Sequence, residues 1–211
     1  MSPPRPLSEP TPILLFGAGG HCKSCINLIE GIPQFRVEGI IDRQGSTSKQ
    51  VLGHKVLGTD SGMSDFLKDV PTALIAVGQI KSAQARIKLF ETAKAMGAEF
   101  PVVQSASSFI SPHSTIYSGT AVFHQVIVNA SAQVGENCIL NNKALIEHDV
   151  VIGPHCHIST GALVNGCVII EKGCFVGSGA ILHEGIKIGE NSVIPAGKIV
   201  RRDIPKNTIV R

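Results

Sequence analysis

The stretch CILNNKALIEHDVVIGPHCHIS (138–159) carries an aliphatic residue at every sixth position: Leu140, Ile146, Ile152 and Ile158. Two places before each stands a small or β-branched residue, namely Cys138, Ala144, Val150 and Cys156. This spacing matches neither the helical period of about 3.6 nor the strand period of about two. It is the period of a parallel β-helix, in which each hexapeptide supplies a short strand and a turn, and three hexapeptides close one triangular coil. Working outward, the same phase runs back through Val134, Val128, Val122, Ile116 and Ile110. It runs forward through Val164, Ile170, Val176, Leu182, Ile188, Ile194 and Val200, sixteen positions without a gap. Strand alternation turns the residue two before each aliphatic inward as well. Cys138, Cys156 and Cys174 are therefore expected to stack inside the prism as small apolar residues. Residues 110 to about 200 should form just over five coils without an internal loop.

Upstream the rhythm changes. PILLFG (12–17) is a short apolar run, and AGGHCKSCINLIEGIP (18–33) is a helix whose Cys22, Cys25, Ile26 and Ile29 share one face. RVEGIID (36–42) and TALIAVG (72–78) read as strands, SDFLKDV (64–70) and SAQARIKLFETAKAMG (82–97) as helices, and PVVQ (101–104) as the start of a fourth strand. Alternating β and α units imply a parallel sheet with helices on its faces. The expected organisation is a loose arm over 1–11, a Rossmann-like α/β domain over 12–104 and a left-handed parallel β-helix over 105–211.

The chain has 211 residues, a formal net charge of +3, 4% aromatics and no Trp. Its charges are scattered, which argues against a nucleic-acid surface. No run approaches the roughly 18 apolar residues of a membrane span, and MSPPRPLSEPTP (1–12) lacks the apolar core of a signal peptide. The expected location is the cytoplasm. There Cys22-Lys23-Ser24-Cys25, on a buried helix face, reads as packing rather than redox chemistry, and no disulfide is expected.

The register also decides where the histidines go. His148 and Asp149 fall at the corner after Ile146, His155 at the next corner, and His157 faces outward from the third side. Corners of one coil lie more than about 10 Å apart at ~3.3 Å per residue. Within one chain, His148 and His157 therefore cannot share a metal. His54, His113, His124 and His183 read as solvated surface residues. His148 differs from these, because it stands between two acids and Gly166 lies eighteen residues on, one coil away. A base beside an unobstructed backbone N–H suits acyl transfer. In the front domain, Gly17-Ala18-Gly19 begins like the dinucleotide fingerprint, but Cys22 stands where its third glycine belongs. Backbone N–H groups at the helix start still favour phosphate, so a nucleotide diphosphate site is expected in preference to NAD.

FGAGGH (16–21), IID (40–42), IAVG (75–78), ISPHSTI (110–116), NNKALIEHDVVIG (141–153) and HCHISTGALVNG (155–166) together resemble a known group. They are similar to the bacterial sugar acetyltransferases of the sialic-acid O-acetyltransferase and PglD-like family of hexapeptide-repeat transferases. The resemblance covers 12 to about 203. It implies a homotrimer that binds acetyl-CoA between neighbouring β-helices, uses no metal, and acetylates a nucleotide-linked amino sugar for glycan or lipopolysaccharide biosynthesis. A 4-amino-4,6-dideoxyhexose is the implied sugar class. It further implies His148 as general base and Asp149 as the acid orienting it, with His157, Gly166, Ser178 and Ala196 contacting acetyl-CoA. Gly19, Gly20 and His21 would meet the phosphates, Asp42 and Arg43 the nucleoside, and Gly78 the same cleft. Family members usually end in a G-V-P-A-like segment, whereas this sequence closes on IPKNTIVR (204–211).

Three other readings make distinct expectations. A sialic-acid O-acetyltransferase would use the same machinery on a hydroxyl. A zinc hydratase would gather His148, His155 and His157 as ligands. A non-catalytic scaffold would bind a sugar nucleotide and leave acetyl-CoA untouched.

Overall fold

The computed structural model describes residues 9–211. The expected arm over 1–11 lies, up to residue 8, outside the described residues, and Thr11 already opens the first strand. The first part runs β1 (Thr11–Phe16), α1 (Gly20–Glu30), β2 (Phe35–Asp42), β3 (Gln50–Val51), β4 (His54–Thr59), α2 (Met63–Asp69), β5 (Ala73–Ile75) and α3 (Gln84–Ala95). The sheet order is β3-β4-β2-β1-β5. All neighbours are parallel except β3 and β4, which pair antiparallel. β1 is buried from Ile13 to Phe16, and its alternation feeds two cores. Ile13 and Leu15 meet Cys22, Cys25, Ile26 and Ile29 of α1. Leu14 and Phe16 meet Met63 and Leu67 of α2 and Phe90 and Ala93 of α3.

Two local readings are corrected. The hairpin β3–β4 was not foreseen; its turn, Leu52-Gly53, holds both residues at positive φ, as a two-residue hairpin of this hand requires. PVVQ is not a fourth strand of the α/β sheet. Val103–Gln104 pairs with Ala121–Val122 and forms the first rung of the prism. Val103 takes the outward place of Ala121 and is fully buried against the α/β domain, while Gln104 stands in the place of Val122, so this rung lacks the aliphatic that marks the repeat.

From there seventeen two-residue strands form three parallel sheets, each strand pairing with the one eighteen residues on. The first face carries Ala121–Val122, Ile139–Leu140, His157–Ile158 and Phe175–Val176. The second carries Ile127–Val128, Leu145–Ile146, Leu163–Val164 and Ile181–Leu182. The third carries Gln133–Val134, Val151–Ile152 and Ile169–Ile170.

The corners have their own period of six. A residue with φ between 51° and 72° recurs at Gly119, Gln125, Ser131, Asn137, Lys143, Asp149, His155, Gly161, Cys167, Gly173, Gly179, Gly185, Asn191 and Gly197. Only a left-handed residue turns the chain sharply enough there, and the non-glycine occupants accept a cost of roughly 1 kcal/mol each. Cys138, Cys156 and Cys174 stack at 0% exposure. Each thiol donates to the carbonyl fifteen residues on, at Gly153, Glu171 and Gly189, 3.1–3.3 Å away.

Candidate active site

Two sites emerge. The first is a cleft of about 1000 Å³ at the carboxyl ends of β1, β2 and β5, lined by Gly19, Gly20, His21, Asp42, Arg43 and Gly78 among others. β1 leads to α1 on one face of the sheet and β5 to α3 on the other, so the cleft sits where open α/β sheets bind ligands. Burial works to raise the Asp42 carboxyl, but hydrogen bonds from Ser46 and from the Arg43 and Ala18 amides outweigh it and hold it below the usual range. His21 is pushed down to about 3 by burial and by the positive field of Arg86. It is therefore neutral, and its Nε2 has no hydrogen-bond partner among the described residues.

The second site is the corner after Leu145–Ile146. His148 Nδ1 lies 2.8 Å from Asp149 Oδ2. Asp149 sits at φ 60°, and this left-handed turn swings its carboxylate back beside the ring of its neighbour. The imidazole's hydrogen bond to Asp149 raises its proton affinity, desolvation works against it, and the charges of Asp149, Glu147 and Glu184 raise it further. One coil on, the ring lies across Gly166: a Cβ there would come within 2.6 Å of Cε1 and 2.8 Å of Nε2. The Gly166 amide has no acceptor among the described residues, while its carbonyl takes the Gly185 amide at 2.9 Å. The arrangement thus sets an exposed, oriented imidazole against an unengaged N–H donor.

Ser178 and Ala196 stack on a different corner, the one after the first face, linked by the Gly197 amide donating to the Ser178 carbonyl at 2.8 Å. The second face separates them from His148 and Gly166 within one chain. His157 does point outward from the prism, yet it is buried to 7% because the α/β domain covers that face. Its Nδ1–H donates to the Gln79 carbonyl at 2.7 Å, leaving Nε2 as acceptor 3.3 Å from the Asn141 amide. Burial lowers it to about 4 despite that bond. His155 is also covered, its ring edge-on to Phe90 of α3 and its Nδ1 3.0 Å from Asn137. The three histidines of the zinc-hydratase reading therefore stand in three separate settings.

His124 departs from the solvated reading, with Nδ1 2.7 Å from Ser105 Oγ and Nε2 3.2 Å from Asn27. Burial pushes Cys22 and Cys25 up to about 12, the reverse of a reactive thiolate. Three residues that the sequence reading did not single out sit where the α/β domain meets the first face of the prism. Gln79, directly after Gly78 of the cleft, donates to the Gly173 and Cys174 carbonyls. Arg86, fully buried, donates to the Ile75 and Val77 carbonyls and to both oxygens of Asn137. Asn141 reaches His157. The partners of Gln79 and Arg86 are 9–95 residues away, and no local pattern announces them.

The PglD N-terminal domain family matches residues 12–93. The bacterial transferase hexapeptide family, of six repeats, matches 131–166, and the hexapeptide repeat of succinyl-transferase matches 167–202. Among solved structures, PerB from Caulobacter crescentus in complex with CoA and GDP-perosamine is 28% identical, with a TM-score of 0.85 over 92% of this chain and 91% of that one. The acetyltransferase domain of PglB from Neisseria gonorrhoeae in complex with acetyl coenzyme A is 26% identical, with a TM-score of 0.86 over 94% and 95%. WeeI from Acinetobacter baumannii, at 24% identity and a TM-score of 0.81, shares the fold. No curated protein sequence matches the chain.

Proposed function

We propose, from the premise that this chain belongs to the hexapeptide-repeat bacterial acetyltransferases related to the PglD-type sugar enzymes, that it moves the acetyl group of acetyl-CoA onto the amino group of a nucleotide-linked amino sugar. The observation that carries the mechanism is the His148–Asp149 pair folded across Gly166.

Asp149 takes the Nδ1 proton of His148 in a hydrogen bond, which leaves the lone pair on Nε2. As the sugar amine attacks the thioester carbonyl, a C–N bond forms and His148 accepts the amine proton. The carbonyl oxygen becomes an oxyanion, and the Gly166 N–H donates to it. The C–S bond then breaks, and the imidazolium returns its proton to the departing CoA thiolate. His157, neutral and fixed by Gln79, contributes position rather than proton transfer. Gly19, Gly20 and the neutral His21 would donate to the diphosphate, with Asp42 and Arg43 toward the nucleoside and Gly78 closing the cleft. On this reading Gly166, Ser178 and Ala196 touch acetyl-CoA.

Those last three contacts lie on two corners, which the homotrimer reading accommodates by letting neighbouring subunits meet across the second face. Support comes from the outward residue of each strand on that face, apolar in all six: Phe109, Ile127, Leu145, Leu163, Ile181 and Ile199. Six free thiols support a reducing, cytoplasmic setting. Among the described residues no helix is long and apolar enough to cross a membrane.

A thiol-release assay with acetyl-CoA and a panel of UDP-, dTDP- and GDP-linked amino sugars tests the proposal. The expected result is CoA release with an amino sugar and none with its hydroxyl counterpart. Binding of the sugar nucleotide without CoA release would establish the scaffold reading instead.

A further inference from the structure

Asp149 and Cys167 occupy the same corner position in successive coils, at φ 60° and 58°. Stacked strands hold such equivalents about 4.8 Å apart, and here the Cys167 amide donates to the His148 carbonyl at 3.0 Å. Their side chains therefore leave the prism side by side. Gly166 completes the arrangement, because the bare backbone lets the imidazole of His148 fold across into the next coil. One ligand atom from each of His148, Asp149 and Cys167 lies within 4.8 Å of the other two. All three side chains are exposed, and Cys167 is the one exposed cysteine; the other five are buried. Nothing in the acetyl-transfer chemistry uses this thiol.

We propose that His148, Asp149 and Cys167 form a binding site for a thiophilic divalent cation of the zinc or cadmium type, and that filling it switches acetyl transfer off. A thiolate, an imidazole nitrogen and a carboxylate oxygen are three ligands of a tetrahedral zinc centre, with water as the fourth. Exposed side chains can rotate the short distance needed to bring three such atoms to about 2.0–2.3 Å from one ion. The neighbouring carboxylates Glu147 and Glu184 add negative field at the corner. On binding, the Cys167 S–H bond breaks, its proton passes to solvent and an S–metal bond forms, with no change of oxidation state. A neutral imidazole has one lone pair, so metal coordination and acceptance of the amine proton exclude each other. The inhibitory half of the proposal rests on His148 being the base; the metal site does not.

The test titrates Cd²⁺ into the full-length protein and into Cys167→Ser, reading the ultraviolet sulfur-to-cadmium charge-transfer band. In parallel, acetyl transfer is followed in both proteins at rising free Zn²⁺. The native protein should develop the band at a single equivalent, and Cys167→Ser should lack it. Basal turnover of Cys167→Ser should match wild type, and its half-inhibitory Zn²⁺ concentration should rise at least about tenfold, the scale on which metal sites respond to lost support. EDTA should restore the zinc-treated wild type. A native protein without the band, or a Cys167→Ser variant with the wild-type band, overturns the site. Equal zinc sensitivity of the two proteins, or a band without inhibition, overturns the switch. The absorption needs no substrate, so a failure of the acetyl-transfer reading is seen separately from a failure of the metal site.

Discussion

Asp149 is next to His148 in sequence, and the left-handed turn at Asp149 converts that adjacency into a 2.8 Å contact between side chains. The contact raises the proton affinity of the imidazole, and an imidazole can accept a substrate's proton only when neutral. kcat/KM should therefore rise with pH, with its midpoint above the ordinary imidazole value of about 6.5. Asp149→Asn removes the first cause of the shift, so the midpoint should move down and turnover should fall less than on losing His148. A pH profile of both proteins checks this; an unmoved midpoint would mean that Asp149 does not hold the ring in solution. The place of this pair was legible from the repeat, because the phase of six assigns every residue to a face or a corner. The burial of His155 and His157 was not, since the phase says nothing about what packs on a face from outside.

At the level of elements, the hexapeptide and its corners are two periods locked together. The inward aliphatics set one, and the left-handed residues set the other. The first was readable because apolar residues announce it. The second was hidden because Gln125, Lys143, His155 and Cys167 share the conformation with glycines and asparagines. The same reasoning explains Val103–Gln104: its pairing partner is eighteen residues ahead, while its nearer neighbours are the α/β elements before it. Burial predicts a simple thiol count. One cysteine, Cys167, should react with a thiol reagent in the native protein, and all six after denaturation. Rapid native labelling of Cys138, Cys156 or Cys174 would contradict the register.

Across the whole molecule, Gln79 and Arg86 fasten the cleft-bearing α/β domain to the prism through one loop and one buried guanidinium. Burial lowers Arg86 to about 10, so it keeps its charge at neutral pH and answers it with four carbonyl-type oxygens. Every strand of the second face turns an apolar residue outward, and His148 stands at the edge of that face. Leu163→Lys puts a charge in the middle of that stripe. Sedimentation should show a trimer for the wild type and a monomer for the variant, with acetyl transfer falling alongside. A wild-type monomer with full activity would remove the trimer from the account. The contacts between the domains were the least legible part, because the distant partners of Gln79 and Arg86 follow no repeat.

The central claim is that His148 takes the proton of the attacking amine. Its most direct test is the turnover of His148→Ala with acetyl-CoA and an accepted amino-sugar nucleotide, alongside acetyl-CoA binding to the same variant. The side chain is 55% exposed and its ring meets Asp149 and Gly166, so the fold and acetyl-CoA binding should persist. Turnover should fall by ~10² or more, the scale expected on removing a general base. A variant that binds acetyl-CoA and keeps most of its turnover would contradict the account.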